Sequence, residues 1–224
     1  MRVRLSLALA GWLLLAGAAG AQTAPAWSGS LGVTTDHVRR GTVRGEDDVE
    51  LTGSLEHLRG SFYAGAAANT AALGDTDYEV DLYVGWQPQW AGWDWDFNAK
   101  RVSYFGGSDD SDHWEFYALA TRSIGPVSGT FLVGGSPDYE GAAEEARWAN
   151  ASLAYALTPR LSADVGGGFQ DQIGAPDYAW WQAGVTYAFT PALSGDLHWY
   201  ETDNAAALGE TGEGQLVASL SWAF

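Results

Sequence analysis

From Trp27 to Phe224 the sequence alternates apolar and polar residues in runs of about ten, the periodicity of a β-strand, whose successive side chains point to opposite faces. Tyr78, Val80, Leu82, Val84 and Trp86 alternate with Glu79, Asp81, Tyr83 and Gly85. Trp93, Trp95, Phe97 and Ala99 alternate with Asp94, Asp96, Asn98 and Lys100. Twelve such runs follow one another, the last ending on Leu216, Ala218, Leu220, Trp222 and Phe224. None of these apolar faces carries Asp, Glu, Lys or Arg. A lysine or arginine facing lipid at the bilayer midplane costs roughly 2–4 kcal/mol, so a membrane-facing surface would purge them.

Alternation alone does not separate a membrane barrel from a soluble sandwich; the connections do. Those after odd-numbered runs are long and acidic or polar: 40–48, 70–77, 106–112, 136–146, 171–177 and 202–213. Those after even-numbered runs are short, and four of the five contain a proline, at Pro88, Pro126, Pro159 and Pro191. Long loops on one rim, short turns on the other and an even strand number describe an all-β, antiparallel transmembrane barrel of about twelve strands. Both chain ends then lie on the short-turn, periplasmic side.

The first residues fit export. Arg2 and Arg4 precede an apolar run from Leu5 to Leu15, and Ala19-Gly20-Ala21 supplies small residues for cleavage. That run falls short of the roughly 20 residues of a spanning helix. The expected organisation is a signal peptide at 1–21 and one outer-membrane barrel domain at 22–224. No later stretch is apolar for long enough to span as a helix, and a mean hydropathy of −0.14 does not distinguish a barrel, whose strands are half polar. The chain has no cysteine, which removes thiolate metal sites and cysteine nucleophiles. Its net charge of −17 repels phosphate, so nucleic acid is not an expected partner.

The inward faces carry the chemistry. Glu56, Asp94, Asp96, Asp164 and Asp196 are placed toward the short-turn rim, and Asp36, Glu50, Glu79, Asp81 and Glu115 toward the long-loop rim. Carboxylate rings favour cations in a pore. The alternative is a plugged lumen in which these acids pair with Arg40, Lys100, Arg122 and Arg147. Inward Tyr63, Tyr83, Tyr117, Trp148, Trp180 and Tyr200 would narrow the interior, and twelve strands lie between barrels that side chains fill and barrels that hold wide channels. Trp27, Trp86, Trp90, Trp93, Trp95, Trp180, Trp181 and Trp222 sit at run ends, where amphipathic rings form interfacial girdles.

Strict alternation turns Arg101 outward, to be met by snorkelling to a rim or by a bulge. Ser194, Asp196 and His198 share one face, but residues two apart on a strand lie about 7 Å apart, too far for the direct bonds of a catalytic triad. No other His, Asp or Glu grouping has metal-ligand spacing, so neither an enzyme nor a cofactor is expected. The terminal run with Leu220, Trp222 and Phe224 on one face resembles the strand signal read by the barrel assembly machinery of Gram-negative bacteria, a recognition that edge pairing makes physical.

Two stretches resemble a known family. Thr35-Asp36-His37-Val38-Arg39-Arg40-Gly41 is similar to the Ser-Asp-Tyr-x-aromatic-Arg-Gly motif of the TorF-type porin family of proteobacteria, with His37 and Arg39 in place of its aromatics. Glu79-Val80-Asp81-Leu82-Tyr83-Val84-Gly85 resembles that family's Glu-x-Asp-x-Tyr-x-Gly strand. Gly60 to Gly65 lies between them in the same order. The resemblance implies an outer-membrane β-barrel. Joined to the residue reading, it leads to passive diffusion of small polar solutes with a cation preference. A structural or adhesive outer-membrane protein with a plugged lumen and working surface loops is the alternative. Outer-membrane lipid, the assembly machinery and small polar solutes are the expected partners.

Overall fold

The computed structural model describes residues 26–44, 49–70, 76–107, 111–141 and 143–224. Twelve long strands form its wall: β1 (Ala26–Thr34), β2 (Glu50–Arg59), β3 (Phe62–Asn69), β4 (Tyr78–Trp86), β5 (Trp93–Phe105), β6 (His113–Ile124), β7 (Val127–Ser136), β8 (Glu145–Ala156), β9 (Leu161–Ile173), β10 (Tyr178–Ala188), β11 (Leu193–Thr202) and β12 (Gln215–Ala223). Each pairs antiparallel with its neighbours in the chain, and β1 pairs with β12 in a register that sets Ser30 against Ala223 and Thr34 against Ser219. That last ladder closes the sheet. Phe224 and Gly29 exchange two further backbone bonds of 2.9 and 3.0 Å at the seam. A closed antiparallel sheet leaves no free edge, as a strand structure in hydrocarbon requires.

Side chains divide as the alternation predicts, with the apolar set outside. Leu31, Leu55, Leu82, Phe131, Leu153 and Val165 are 47–58% exposed, while Glu79, Asp81, Asp96, Lys100 and Glu115 are 0–6% exposed and face the interior. A water-soluble protein has the opposite arrangement. Aromatic residues ring both ends of the apolar band. Trp27, Trp86, Trp90, Trp95, Trp222 and Phe224 lie toward the short turns, and Trp114, Trp181 and Trp199 toward the long loops. Trp180, placed by the sequence both in the girdle and among the inward aromatics, follows the inward reading. It is 6% exposed and stands inside, because β10 alternates without a break from Tyr178 and its even positions face the lumen.

Strand β5 runs to Phe105 without a bulge, pairing with β4 from Trp86↔Phe97 to Tyr78↔Phe105. Arg101 therefore does face outward. Its guanidinium reaches Asp112, in the next long connection, at 3.1 Å, so the side chain snorkels to a rim carboxylate. The long connection after β11 carries a short helix, Ala205–Leu208, and a 3-10 turn, Gly209–Gly212. The first long connection begins at Thr35 rather than at Arg40, because β1 ends there. Its residues His37–Arg39 and Thr42–Arg44 pair as a separate two-stranded sheet. The expected signal segment 1–21 lies outside the described residues. Among the described residues, no helix is long and apolar enough to cross a membrane, and none of the connections leaves the barrel to form a second core.

Val165 stands on the outward face of β9 between Leu161 and Asp171, paired with Leu153 and Ala183. Val165→Arg is expected to lower the stability of the protein in lipid vesicles by about 2–4 kcal/mol, measured by denaturant unfolding. The inward Asn150→Arg serves as the control for charge alone and should cost distinctly less.

Candidate functional site

The inner hairpin organises the lumen. Arg40 and Gly41 both adopt left-handed backbone, with φ of 51° and 83°, the signature of a two-residue type I′ turn. Gly41 is required there twice over: its φ suits glycine, and a β-carbon would collide with the Trp180 side chain. Thr42 Oγ1 donates to the Arg39 carbonyl at 2.9 Å and fastens the turn. Behind the tip, Val38 and Val43 pack on Tyr200 of β11 and Val217 of β12. The hairpin is thus braced against one side of the barrel, and its arginines reach for the other.

Arg39 donates to Glu79 on β4 at 3.3 Å, Tyr104 on β5 at 3.2 Å, Glu115 on β6 at 3.1 Å and Glu140 in the loop after β7 at 3.3 Å. Arg40 donates to Gln170 on β9 at 2.7 Å, Glu115 at 2.9 Å and the Tyr139 hydroxyl at 2.6 Å. Its guanidinium lies over the Trp148 ring, 3.9 Å from the centroid. Such stacking suits the weakly hydrated, planar guanidinium. Arg44 pairs with Glu140. Lys100 on β5 completes the layer, 3.1 Å from Asp81 and 3.0 Å from Glu115.

Glu115 is the hub. It is 0% exposed and meets Arg39, Arg40 and Lys100, and the Tyr117 hydroxyl also donates to it. In all, four cations (Arg39, Arg40, Arg44 and Lys100) face four carboxylates (Glu79, Asp81, Glu115 and Glu140), so the layer is close to electrically neutral. Burial alone would raise the Glu140 carboxyl, but Arg44 and Arg39 beside it hold it well below the usual carboxylate range. Deep burial of this many charges is tolerable only because each is matched.

The short-turn half of the lumen differs. Asp96 accepts from the Tyr63 hydroxyl at 2.7 Å and from Gln87 at 3.3 Å, both neutral donors. Glu56 accepts from Tyr83. His198 lies between two carboxylates, with Nδ1 3.1 Å from Asp196 and Nε2 3.0 Å from Asp164. Among the described residues, no lysine or arginine pairs with Glu56, Asp96, Asp164 or Asp196. Between this layer and the hairpin lies a cavity of about 230 Å³, lined in part by Ser30, Thr52, Asp81, Asp96, Asn150 and Asp196.

The sequence-predicted residues fall on both levels. Arg40, Glu79, Asp81, Lys100 and Glu115 share the neutral layer. Asp36 and Tyr83 line the cavity, and Glu50 lies 2.8 Å from His37 at the base of the hairpin. Asp94 accepts from Gln89 at 2.6 Å at the short-turn mouth. Four expectations change. Arg122 lies outside over Trp93, and Arg147 lies outside beside Glu145, because both occupy outward positions of their strands. Arg39 and Arg44, assigned no partner from sequence, anchor the hairpin; the signal was the Arg39-Arg40-Gly41 turn itself. His198 and Asp196 do bond directly, since side chains leaning along one strand bridge the backbone spacing. Both ring nitrogens are engaged by carboxylates, which leaves none to act as a base toward Ser194. Among the described residues, no His, Asp and Glu group has the arrangement of a metal site.

Glu115→Gln leaves Arg39, Arg40 and Lys100 facing one fewer negative charge in a buried layer. Its expected cost is about 3–5 kcal/mol of stability, measured by denaturant unfolding in vesicles.

Comparison with solved structures finds the same barrel fold in outer-membrane porins. The KdgM porin superposes with a TM-score of 0.61 at 6% identity, covering 88% of this chain and 99% of its own. The NanC porin gives 0.57 at 10% identity, covering 89% and 99%. The COG4313 outer membrane channel of Pseudomonas putida F1 gives 0.51 at 10% identity, covering 88% and 94%. At these identities the likeness is one of fold. No curated protein matches the sequence. The family described as bacterial protein of unknown function (Gcw_chp) matches residues 18–224, and the chain belongs to it.

Proposed function

We propose that the protein is an outer-membrane channel of the porin kind, passing small polar solutes passively and favouring cations. The exposed apolar band between aromatic girdles supports the location, and the barrel fold shared with KdgM, NanC and the COG4313 channel supports the role. One observation carries the cation preference: positive charge in the lumen is matched in the hairpin layer, whereas in the short-turn half Asp164 and Asp196 share His198, and Glu56 and Asp96 accept from neutral tyrosine and glutamine donors. Fixed carboxylates between low-dielectric walls raise the local concentration of cations. The KdgM porin is also known in complex with disordered oligogalacturonate, an anion. The acid layer of this lumen argues for the opposite sign of charge.

Residues 1–21 are read as a signal peptide and 22–224 as the barrel domain, with both chain ends periplasmic, since short turns face the periplasm in such barrels. Leu220, Trp222 and Phe224, all outward on the closing strand, form the surface offered to the assembly machinery. Asp36, Arg40, Glu50, Glu79, Asp81, Tyr83, Asp94, Asp96, Lys100, Glu115, Asp164 and Asp196 are the pore-lining residues in this reading, and membership of the TorF-type porins is part of it. No catalytic step and no cofactor is assigned.

A closed, structural or adhesive barrel is the second reading, and the hairpin crossing the lumen favours it. Deleting loop residues 106–112 would then abolish surface adhesion without altering conductance. For the channel, purified protein in a planar bilayer under a potassium chloride gradient should give a cation-selective reversal potential. Glu56→Gln with Asp96→Asn should move that potential toward zero; an unchanged value removes these acids as the selective element.

A further inference from the structure

The hairpin is not part of the barrel wall. It forms its own sheet of three residue pairs, His37↔Arg44, Val38↔Val43 and Arg39↔Thr42, and shares no ladder with any of the twelve strands. It can therefore leave the lumen without breaking a wall hydrogen bond. What holds it is chiefly charge. Its apolar contacts are few, Val38 and Val43 on Tyr200 and Val217, Gly41 on Trp180 and the Arg40 face on Trp148, whereas its three arginines meet the buried carboxylates Glu79, Glu115 and Glu140.

Such a hold is finely balanced. Three buried guanidiniums gain strong Coulomb attraction, but they and their carboxylates give up hydration to make it, and the two terms are of similar size. Undocking returns both partners to water. The docked state thus exceeds the undocked one by a small difference between large quantities, the condition under which a two-state element can be populated on both sides. Docked, the hairpin spans the lumen from the β10–β12 side, where Gly41 rests on Trp180, to Glu79 on β4 and Glu115 on β6.

The seat is specific for a planar cation. Arg40 is clamped edgewise by Gln170, Glu115 and Tyr139 while its face lies on Trp148, and Arg39 is forked between Glu115 and the Glu79, Tyr104 and Glu140 side. An ammonium would forgo the stacking and most of the fork. We propose that the hairpin is an autoinhibitory plug, its arginines tethered occupants of a guanidinium-binding seat, and that the lumen opens when they leave it. The plug rests on the channel reading; the affinity of its seat for guanidinium is independent of conduction.

Three measurements on full-length protein test it. In planar bilayers Arg39→Gln with Arg40→Gln should raise open probability about tenfold or more, since several charge-assisted bonds are lost. Because that variant leaves carboxylates unmatched, a second one carries no charge change: Val38→Cys with Val217→Cys joins the hairpin to β12 in a chain otherwise free of cysteine. Oxidised, it should close; reduced, it should recover the wild-type openings. Equal conductance in both redox states overturns the plug. Calorimetry with guanidinium chloride, against sodium chloride at equal ionic strength, should show binding to the variant with Arg39→Gln and Arg40→Gln and none to the wild type. Equal heats in the two proteins overturn the seat. Silence of every form in the bilayer, with guanidinium binding intact, would instead remove the channel reading and the gating role with it while leaving the seat in place.

Discussion

Hydrocarbon offers the backbone no hydrogen-bonding partner, so a spanning β-structure must satisfy every amide and carbonyl within its own sheet. In this chain the requirement is met at one seam, the pairing of β1 with β12 from Ser30↔Ala223 to Thr34↔Ser219, extended by the exchange between Gly29 and Phe224. Without it the two terminal strands would each present an unpaired edge. Closure then dictates the rest. It sorts residues by parity along each strand, so Leu and Val meet lipid while Glu, Asp and Lys are turned inward. It also creates an interior of fixed width that side chains and one loop must furnish.

Parity explains what the sequence conveyed well. A period of two is a local property, and Tyr78–Trp86 displays it without reference to any other strand. The positions of β4 and β12 follow from it directly, as do the inward tyrosines 63, 83, 117 and 200. The six long and five short connections gave the strand order for the same reason, since neighbours in the chain are neighbours in the wall. Where two readings of one run competed, parity was also the better guide. Trp180 and Trp181 look alike by composition and position, yet one packs on the hairpin and the other meets lipid.

The hairpin was illegible for a matching reason. Its meaning depends on partners 40 to 101 residues away, Glu79 to Glu140, which no local pattern announces. The turn chemistry was present in Arg40-Gly41, but an arginine pair in an acidic loop reads equally as a solvated surface. The misjudged pairing of Arg122 and Arg147 has a different root. Both continue the outward parity of Ala118 and Ala120 on β6 and of Ala149 and Ala151 on β8, so strict alternation already sets them outside the lumen. His198 illustrates the limit of backbone spacing as a criterion. A 7 Å separation of alternate residues is a statement about α-carbons, and two side chains of ordinary length can close it.

Charge in the lumen is arranged in two levels of different kind, and the difference has a physical consequence. In the hairpin layer every cation is spent on a carboxylate, so the arginines contribute little field beyond their own contacts. In the short-turn half, Asp96 and Glu56 take hydrogen bonds from tyrosine and glutamine, donors that bring no positive charge into the layer. On the proposed channel reading, a cation entering from that side would meet an attractive potential up to the level of the cavity and then a neutral layer. Withdrawal of the hairpin would change the net charge of that layer as well as its width. Arg39, Arg40 and Arg44 would leave together, and Glu79, Asp81, Glu115 and Glu140 would remain with Lys100 alone. The upper layer would then join the lower as one acidic passage. In the proposed gating, a single movement of the hairpin would therefore both widen the lumen and turn its upper layer from neutral to acidic.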